Sequence, residues 1–249
     1  MNELATYTWN KQIASYEVDC EGRLRASMIL RLMQESGDLH TAQEGIPYEK
    51  VLEQGCMVLI SRSSVLGHRY PRMRDQVKIT TLHHGIHGVR MYRDFIFSID
   101  GEPVIESTNE YFCADLQTRR VIRPDIFLNS AFATGQDYTP GNPKPQKIHL
   151  PGELEPAGER SVTFTQLDYN GHMNNANYCD FAVDALPEEF ARRPARELMF
   201  NFIREALPGN TMRLFFAAEG EQAAVVLGEH DGQHSFAARF AYGPAQEQA

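Results

Sequence analysis

A carboxylate, an amide and an imidazole are crowded into the segment Leu167–Tyr178, which reads LDYNGHMNNANY. Asp168, Asn170 and His172 follow one another at two-residue spacing, which in an extended chain points side chains to one side. The residues from Asn174 onward can cap and begin a helix, whose first backbone N–H groups lack helical partners and carry partial positive charge. The segment therefore predicts a catalytic site in which N–H groups near His172 to Asn174 stabilise an oxyanion. The alternative is an Asx-rich turn that only caps the helix and holds His172 as a hydrogen-bonded partner.

The elements that position this segment occur twice in the same order. The first half predicts a strand at 7–18, a helix at 26–44 ended by Gly45, a short helix at 47–54, and strands at 56–67, 75–84, 89–99 and 103–114. The second half predicts a strand at 160–167, a helix at 174–186, and strands at 196–206, 210–218, 222–230 and 234–242. In each half an Asp-Gly pair, typical of a hairpin turn, separates the last two strands. A long helix followed by hairpin-linked strands predicts an α+β fold rather than alternating α/β.

The two halves align through an Asp-x-x-Gly motif, which is 19–22 in the first half and 168–171 in the second. This alignment supports an internal duplication. It places Arg23 opposite His172 and an acidic residue opposite Asn170. We therefore expect that the first copy has lost the chemistry.

The Asp-x-Asn-x-His pattern with the following Asn-Asn-x-x-Tyr resembles the motif of acyl-acyl carrier protein (acyl-ACP) thioesterases. Further segments that resemble this family lie at 15–18, 32–36, 69–71, 91–95 and 118–120. The resemblance implies hydrolysis of the thioester between a fatty acyl chain and the phosphopantetheine arm of acyl carrier protein. It also implies two tandem hotdog domains, each a curved antiparallel sheet around a central helix. We place an acyl-binding domain at 1–133, a Pro/Gly-rich linker at 134–158 and a catalytic domain at 159–249.

Asn201–Ala206 resembles the family segment in which an acidic residue follows a basic one on a strand facing the catalytic helix. The resemblance implies that Glu205 is a general base for water, that Asn170 and His172 position the water and polarise the carbonyl, and that Asp168 orients them. The individual roles stay open, and Glu205 as an ordinary strand carboxylate is the alternative. Plant members usually carry Cys where this chain has Ala206, so an acyl-cysteine at that position is excluded. This chemistry requires no metal and no organic cofactor.

The formal charge of −9 disfavours nucleic acid as a partner, but the segment 62–93 carries seven basic residues and one acidic residue. Acyl carrier protein is acidic, so basic residues here could steer it. The alternative is a solvated strand face. The candidate docking residues are Arg69, Arg72, Arg74 and Arg90.

One face of the first predicted helix carries apolar and small residues at helical spacing. Such residues are core by default, but the small Ser36 could leave room for the end of an acyl chain. The candidate acyl-binding residues are Ile29, Leu32, Met33 and Ser36.

Other features limit the function further. The first residues resemble no secretion signal, no apolar run reaches membrane-spanning length, and the four cysteines are widely spaced, which predicts a cytoplasmic protein with reduced thiols. His83, His84 and His87 are expected in a hairpin turn without an acidic ligand, and His230 and His234 flank another turn, so no metal site is predicted. An acyl-CoA thioesterase and a non-catalytic acyl-binding hotdog protein remain alternatives. A homodimer is left open.

Overall fold

The computed structural model of the chain describes residues 6–130 and 142–243. The chain folds into two structural units with a boundary between Pro145 and Gln146, although residues 26–28 group with the second unit. Of the linker expected at 134–158, residues 134–141 lie outside the described part, and residues 142–154 contain neither helix nor strand. Within the described ranges, no helix combines the length and the apolar composition that a membrane crossing needs.

The first unit pairs a long helix with an antiparallel sheet. Its elements are β1 Thr6–Gln12, α1 Ala26–Gln43, α2 Tyr48–Glu53, β2 Cys56–Gly67, β3 Gln76–His87, β4 Arg90–Ile99, β5 Glu102–Asp115 and β6 Val121–Ile122. The strand order is β1-β3-β4-β5-β2, and β6 pairs with β5. Helix α1 ends where Gly45 takes a positive φ of 78°, a conformation that glycine adopts without the cost of a Cβ.

The second unit repeats this arrangement with shorter elements. They are β7 Glu155–Ser161, α3 Asn175–Asp184, α4 Glu188–Ala191, β8 Glu197–Phe202, β9 Thr211–Ala218, β10 Ala223–His230 and β11 Gln233–Ala241. The strand order is β7-β9-β10-β11-β8. Helix α3 packs on its own sheet through Tyr178, whose ring meets those of Phe202 and Phe236 edge-on at centroid distances of 5.8 and 5.5 Å.

The two strand orders are the same when the second set is renumbered from its own first strand, so the two units repeat one topology, as an internal duplication predicts. The hairpin turns also match: Asp100 and Asp231 have φ of 53° and 51°, and each is followed by a glycine with positive φ. Such turns require left-handed residues at both central positions. Each unit therefore has a central helix and five antiparallel strands in the same order, as expected of a hotdog domain, and the first unit adds the short strand β6.

Three predicted strands differ most from the structure in their bounds. The strand expected at 7–18 is β1, which ends at Gln12 and is followed by a single 3-10 turn at Ser15–Glu17. The strand expected at 160–167 is β7, which begins inside the predicted linker and ends at Ser161. The strand expected at 196–206 is β8, which ends at Phe202 because the N–H groups of Ile203 and Arg204 both donate to the Ser235 carbonyl and break the ladder. Glu205 therefore lies in an irregular segment after β8 rather than in a strand.

Candidate functional site

Residues 168–172 form a tight turn and not the extended segment that the spacing predicted. An isolated β-bridge between Leu167 and Met173 closes the turn. The Asp168 N–H also donates a hydrogen bond to the His172 carbonyl, at 2.7 Å. The Asp168 carboxylate accepts the backbone N–H groups of Asn170 and His172, at 2.8 and 3.2 Å. Asp168 thus bonds to both residues, but only through their backbones, as in the alternative Asx-turn interpretation.

The backbone N–H groups that were expected to hold an oxyanion are already used within the protein. The His172 N–H donates to Asp168, the Met173 N–H to the Ala206 carbonyl and the Asn174 N–H to the Gln166 carbonyl. The expectation for these three groups was wrong, because closing the turn and docking it on the next segment consumes them. The Asn174 side chain caps α3 by accepting the Ala176 N–H at 2.9 Å.

The structure brings His172 and Glu205 into direct contact. His172 Nε2 lies 3.2 Å from Glu205 Oε2. The imidazole is 6% exposed and the carboxylate 38%, so a buried ring holds a carboxylate that still reaches water. With Asn170 half-buried on the same turn, the arrangement offers a base, a group that orients it and an amide donor.

The backbone around Glu205 is fixed by contacts on both sides. Ser235 Oγ donates to the Arg204 carbonyl at 2.8 Å, and the Ala206 N–H donates to the Tyr178 hydroxyl at 2.9 Å. Burial raises the pKa of Tyr178 to about 12, so this phenol stays neutral at physiological pH. Ala206 is fully buried, and its methyl group offers no nucleophile.

The corresponding turn of the first unit has the same backbone geometry without the same side chains. Asp19 accepts the N–H of Arg23 at 2.9 Å and donates its own N–H to the Arg23 carbonyl at 2.7 Å. The Arg23 side chain bonds to Asp19 through Nε at 3.2 Å. The Leu24 N–H donates to the Pro71 carbonyl, so Pro71 stands where the second unit has Ala206. The carboxylate of Glu205 thus has no counterpart in this turn, since Tyr70 precedes Pro71.

The predicted carrier-docking residues fall into two places. Arg69, Arg72 and Arg74 are exposed on the loop between β2 and β3. Arg90 is exposed at the start of β4, which lies at the other end of the twelve-residue strand β3. A strand of that length spans roughly 40 Å when straight. Arg93, which contributed to the basic segment, is buried and belongs to a different cluster.

The candidate acyl-binding residues of α1 are all buried. Ile29, Met33 and Ser36 are fully buried and Leu32 is 4% exposed. Ser36 Oγ donates to the Met33 carbonyl at 3.1 Å, which satisfies the hydroxyl within its own helix. Position 36 therefore differs from the other three candidate positions in the small size of its side chain.

The expectation that His83 and His84 lie in a turn without acidic neighbours was wrong. Both belong to β3, because the hairpin turn comes later, at Gly88. His83 Nε2 lies 3.1 Å from Glu44 Oε1, and His84 Nε2 lies 2.6 Å from Asp94 Oδ2. The long interval between α1 and β3 hides the first of these contacts from the sequence.

His40, Glu44 and His83 offer three ligand atoms within 4.8 Å of one another, which is close enough for a metal ion. Arg93 argues against that use. Its guanidinium donates to His40 Nδ1 at 2.9 Å, so a neutral His40 carries its hydrogen on Nε2, where a metal would need the lone pair. The same guanidinium adds a positive charge beside the three ligands. We therefore assign these four residues as a buried hydrogen-bonded cluster of the first unit.

His230 also has a role that its position beside a turn did not predict. It is buried at the end of β10, and its Nε2 lies 3.0 Å from the Glu205 carbonyl oxygen. Its Nδ1 lies 3.0 Å from Asp231 Oδ2. No spacing in the sequence links His230 to Glu205, because they come from different elements.

Comparisons with known proteins agree with this structure. The family model of the acyl-ACP thioesterase N-terminal domain matches residues 5–127, and that of the C-terminal domain matches residues 155–240. A curated relative, oleoyl-acyl carrier protein thioesterase 1 (chloroplastic) of Arabidopsis thaliana, is 23% identical over 71% of this chain. The match spans about half of that relative's own length, 54%.

Two solved structures match nearly the whole chain. An acyl-ACP thioesterase from Bacteroides thetaiotaomicron has a TM-score of 0.87 at 17% identity, covering 97% of this chain and 99% of its own. A 12:0-ACP thioesterase from Umbellularia californica has a TM-score of 0.84 at 21% identity, covering 98% of this chain and 99% of its own. This likeness confirms the predicted fold of two tandem hotdog domains. Since the two family models cover most of the sequence in the expected order, the chain belongs to the acyl-ACP thioesterase family.

Proposed function

We propose that this protein hydrolyses the thioester of fatty acyl-ACP and releases a free fatty acid and the holo carrier protein. The observation that carries the proposal is the contact between His172 and Glu205, with Asn170 on the same turn. A carboxylate that is oriented by a buried imidazole and still reaches water suits general-base catalysis.

In the proposed mechanism Glu205 takes a proton from a water molecule while the oxygen of that water bonds to the thioester carbon. The Asn170 side-chain amide donates to the carbonyl oxygen as negative charge develops there. The tetrahedral intermediate then collapses with cleavage of the C–S bond, and the leaving thiolate receives the proton from Glu205. His172 keeps the carboxylate in place, and Asp168 keeps the turn that carries Asn170 and His172.

The route does not pass through a cysteine. Ala206 stands where plant members of the family usually carry a cysteine, and Cys179 and Cys113 are buried. Burial raises the pKa of the Cys113 thiol to about 12, which disfavours the nucleophilic thiolate. Direct attack by water is therefore the route that these residues support.

The proposed division of labour assigns residues 1–133 to acyl-chain binding, 134–158 to the linker and 159–249 to catalysis. The buried face of α1 is the candidate acyl site. The exposed arginines of the β2–β3 loop are the candidate dock for the acidic carrier protein, with its phosphopantetheine-linked acyl chain. Arg90 is kept as a separate candidate because it lies at the other end of β3.

We also place the protein in the cytoplasm, in fatty acid biosynthesis. All four cysteines are free thiols in the structure, which suits a reducing compartment. Release of a fatty acid from its carrier is a step that ends chain extension on that carrier.

Turnover of matched panels of acyl-ACP and acyl-CoA tests the proposal. Free fatty acid is measured from equal concentrations of each carrier across several chain lengths. We expect faster release from acyl-ACP, and loss of release with Glu205→Gln. Equal or faster release from acyl-CoA would favour an acyl-CoA thioesterase, and binding of acyl chains without release would favour a non-catalytic acyl-binding protein.

A further inference from the structure

The segment that carries Glu205 lies beyond the end of the β8 ladder, so its position depends on individual contacts. The contacts at Arg204 and Ala206 come from Ser235 and Tyr178. At Glu205 itself, the backbone carbonyl oxygen lies 3.0 Å from His230 Nε2. His230 is only 3% exposed, so water does not readily replace this bond.

The other ring nitrogen of His230 also faces an oxygen that only accepts, so both contacts are hydrogen bonds when the ring carries a hydrogen on each nitrogen. Nδ1 lies 3.0 Å from Asp231 Oδ2, and the same carboxylate oxygen lies 3.7 Å from Arg204 Nη2. Arg204 Nη1 also donates to the His230 carbonyl at 3.3 Å. The contacts run in both directions. The His230 imidazole at the end of β10 contacts the Glu205 backbone, and the Arg204 guanidinium contacts the His230 backbone.

We infer that His230 is a positioning residue for Glu205, and this inference rests on the proposed role of Glu205 as the base. His230 does not contact the Glu205 carboxylate. It fixes the backbone from which that carboxylate extends to His172, and Asp231 fixes the orientation of the imidazole. A displacement of about 1 Å in a reacting group can cost on the order of 100-fold in rate.

The test uses two amides that differ by one methylene. The Nε2 of Gln at position 230 can reach the place of the histidine Nε2, whereas Asn at that position reaches only towards Asp231. We expect His230→Asn to lower kcat roughly 10- to 100-fold with KM for acyl-ACP nearly unchanged, and His230→Gln to recover most of the loss. His234→Ala is the matched control, because His234 lies across the same hairpin turn, is about half exposed and pairs with Glu229.

A double-mutant cycle shows whether the effect passes through Glu205. In the Glu205→Gln background, His230→Asn should cause no further loss of kcat. Two results would overturn the inference: wild-type kcat in His230→Asn, or a full additional loss of kcat in the double variant. Wild-type kcat in Glu205→Gln alone would instead overturn the proposed role of Glu205, so the two failures are distinguishable. If His230→Asn does not fold, a failure of the folded His230→Gln protein to retain most of the wild-type kcat would also reject the inference.

Discussion

His172 Nε2 and Glu205 Oε2 lie 3.2 Å apart, although His172 ends a turn before α3 and Glu205 follows the end of β8. The residues that follow this pair join the two segments, because the Met173 N–H donates a hydrogen bond to the Ala206 carbonyl. The side chains meet because their backbones are already paired.

Removal of either partner, or of Asn170, should abolish most of the turnover. We expect His172→Ala, Asn170→Ala and Glu205→Gln each to lower kcat by about 10²- to 10⁴-fold, the usual contribution of general acid–base groups. Steady-state kinetics on acyl-ACP measures the effect, and urea denaturation checks that stability is retained. Glu219→Gln is a control, because that carboxylate pairs with Arg239 elsewhere on the sheet. Wild-type turnover in Glu205→Gln would mean that another group takes the proton.

Hydrolysis should not depend on any cysteine. We expect single substitutions of each cysteine by Ser to leave kcat within a few-fold of wild type in every protein that folds. Cys113 and Cys179 are buried, so their variants are expected to lose stability rather than chemistry. The substituted residues are Cys20, Cys56, Cys113 and Cys179. Mass spectrometry after a single turnover should find no acyl-cysteine, and a trapped one would contradict direct water attack.

Charge reversal in the β2–β3 loop should weaken the interaction with the carrier protein. We expect Arg69→Glu, Arg72→Glu and Arg74→Glu to raise KM for acyl-ACP more than KM for acyl-CoA. The difference should shrink as salt rises, because the Debye length is only about 8 to 10 Å near physiological ionic strength. Arg90→Glu, at the far end of β3, tells whether the dock extends there. Equal losses on both carriers at every salt concentration would mean that the loop does not dock the carrier.

Filling the space at position 36 should shorten the preferred acyl chain. Ser36 is fully buried on the α1 face that we assign to the chain. We expect Ser36→Leu to move the released fatty acids towards shorter lengths, since each methylene that no longer fits costs roughly 1–3 kcal/mol in discrimination. Ser36→Ala is the control, because it removes the bond to the Met33 carbonyl without adding volume. The product distribution from a mixed acyl-ACP pool is measured, and lower activity with an unchanged distribution would assign Ser36 to core packing.

The buried cluster around Glu44 should make stability depend on pH. Burial raises the pKa of Glu44 from 4.5 to about 7, while the Arg93 guanidinium acts in the opposite direction. Because the folded-state pKa lies above the unfolded value, the proton stabilises the folded protein fully below about pH 4.5, and this contribution is lost as the pH rises through about 7. Relative to Glu44→Gln, the wild type should therefore lose roughly 1–3 kcal/mol of unfolding free energy between about pH 5 and about pH 8.

Urea denaturation of both proteins at about pH 5 and about pH 8 measures this difference. His83 titrates in the opposite sense, because burial and the nearby Arg93 lower its pKa. That contribution is expected in both proteins, so the difference between them isolates Glu44. A difference that does not change with pH would show that Glu44 is ionised in the folded protein throughout this range.

The sequence predicted those parts of the structure that depend on local pattern. The helix from Ala26 and the strand 56–67 follow from hydrophobic periodicity, and the hairpins at Asp100 and Asp231 follow from Asp-Gly turns. The resemblance to a family added the tandem hotdog fold. Periodicity does not show that the Ser235 carbonyl accepts two N–H groups at the end of β8. Nor does it show that the Met173 N–H donates to the Ala206 carbonyl, because both contacts join segments that are distant in sequence. For the same reason the partners of His83 and His230 were missed.

The turn at Asp19 is an internal control for the matching turn at Asp168. Each aspartate organises the same backbone N–H contacts, but the turn at Asp168 also carries the proposed site residues. The free energy of unfolding lost by Asp19→Ala reports what such a turn, together with the Arg23–Asp19 ion pair, contributes to folding. Measuring unfolding and kcat for both variants therefore distinguishes the loss of a turn, which both share, from the loss of chemistry, which only Asp168→Ala should show.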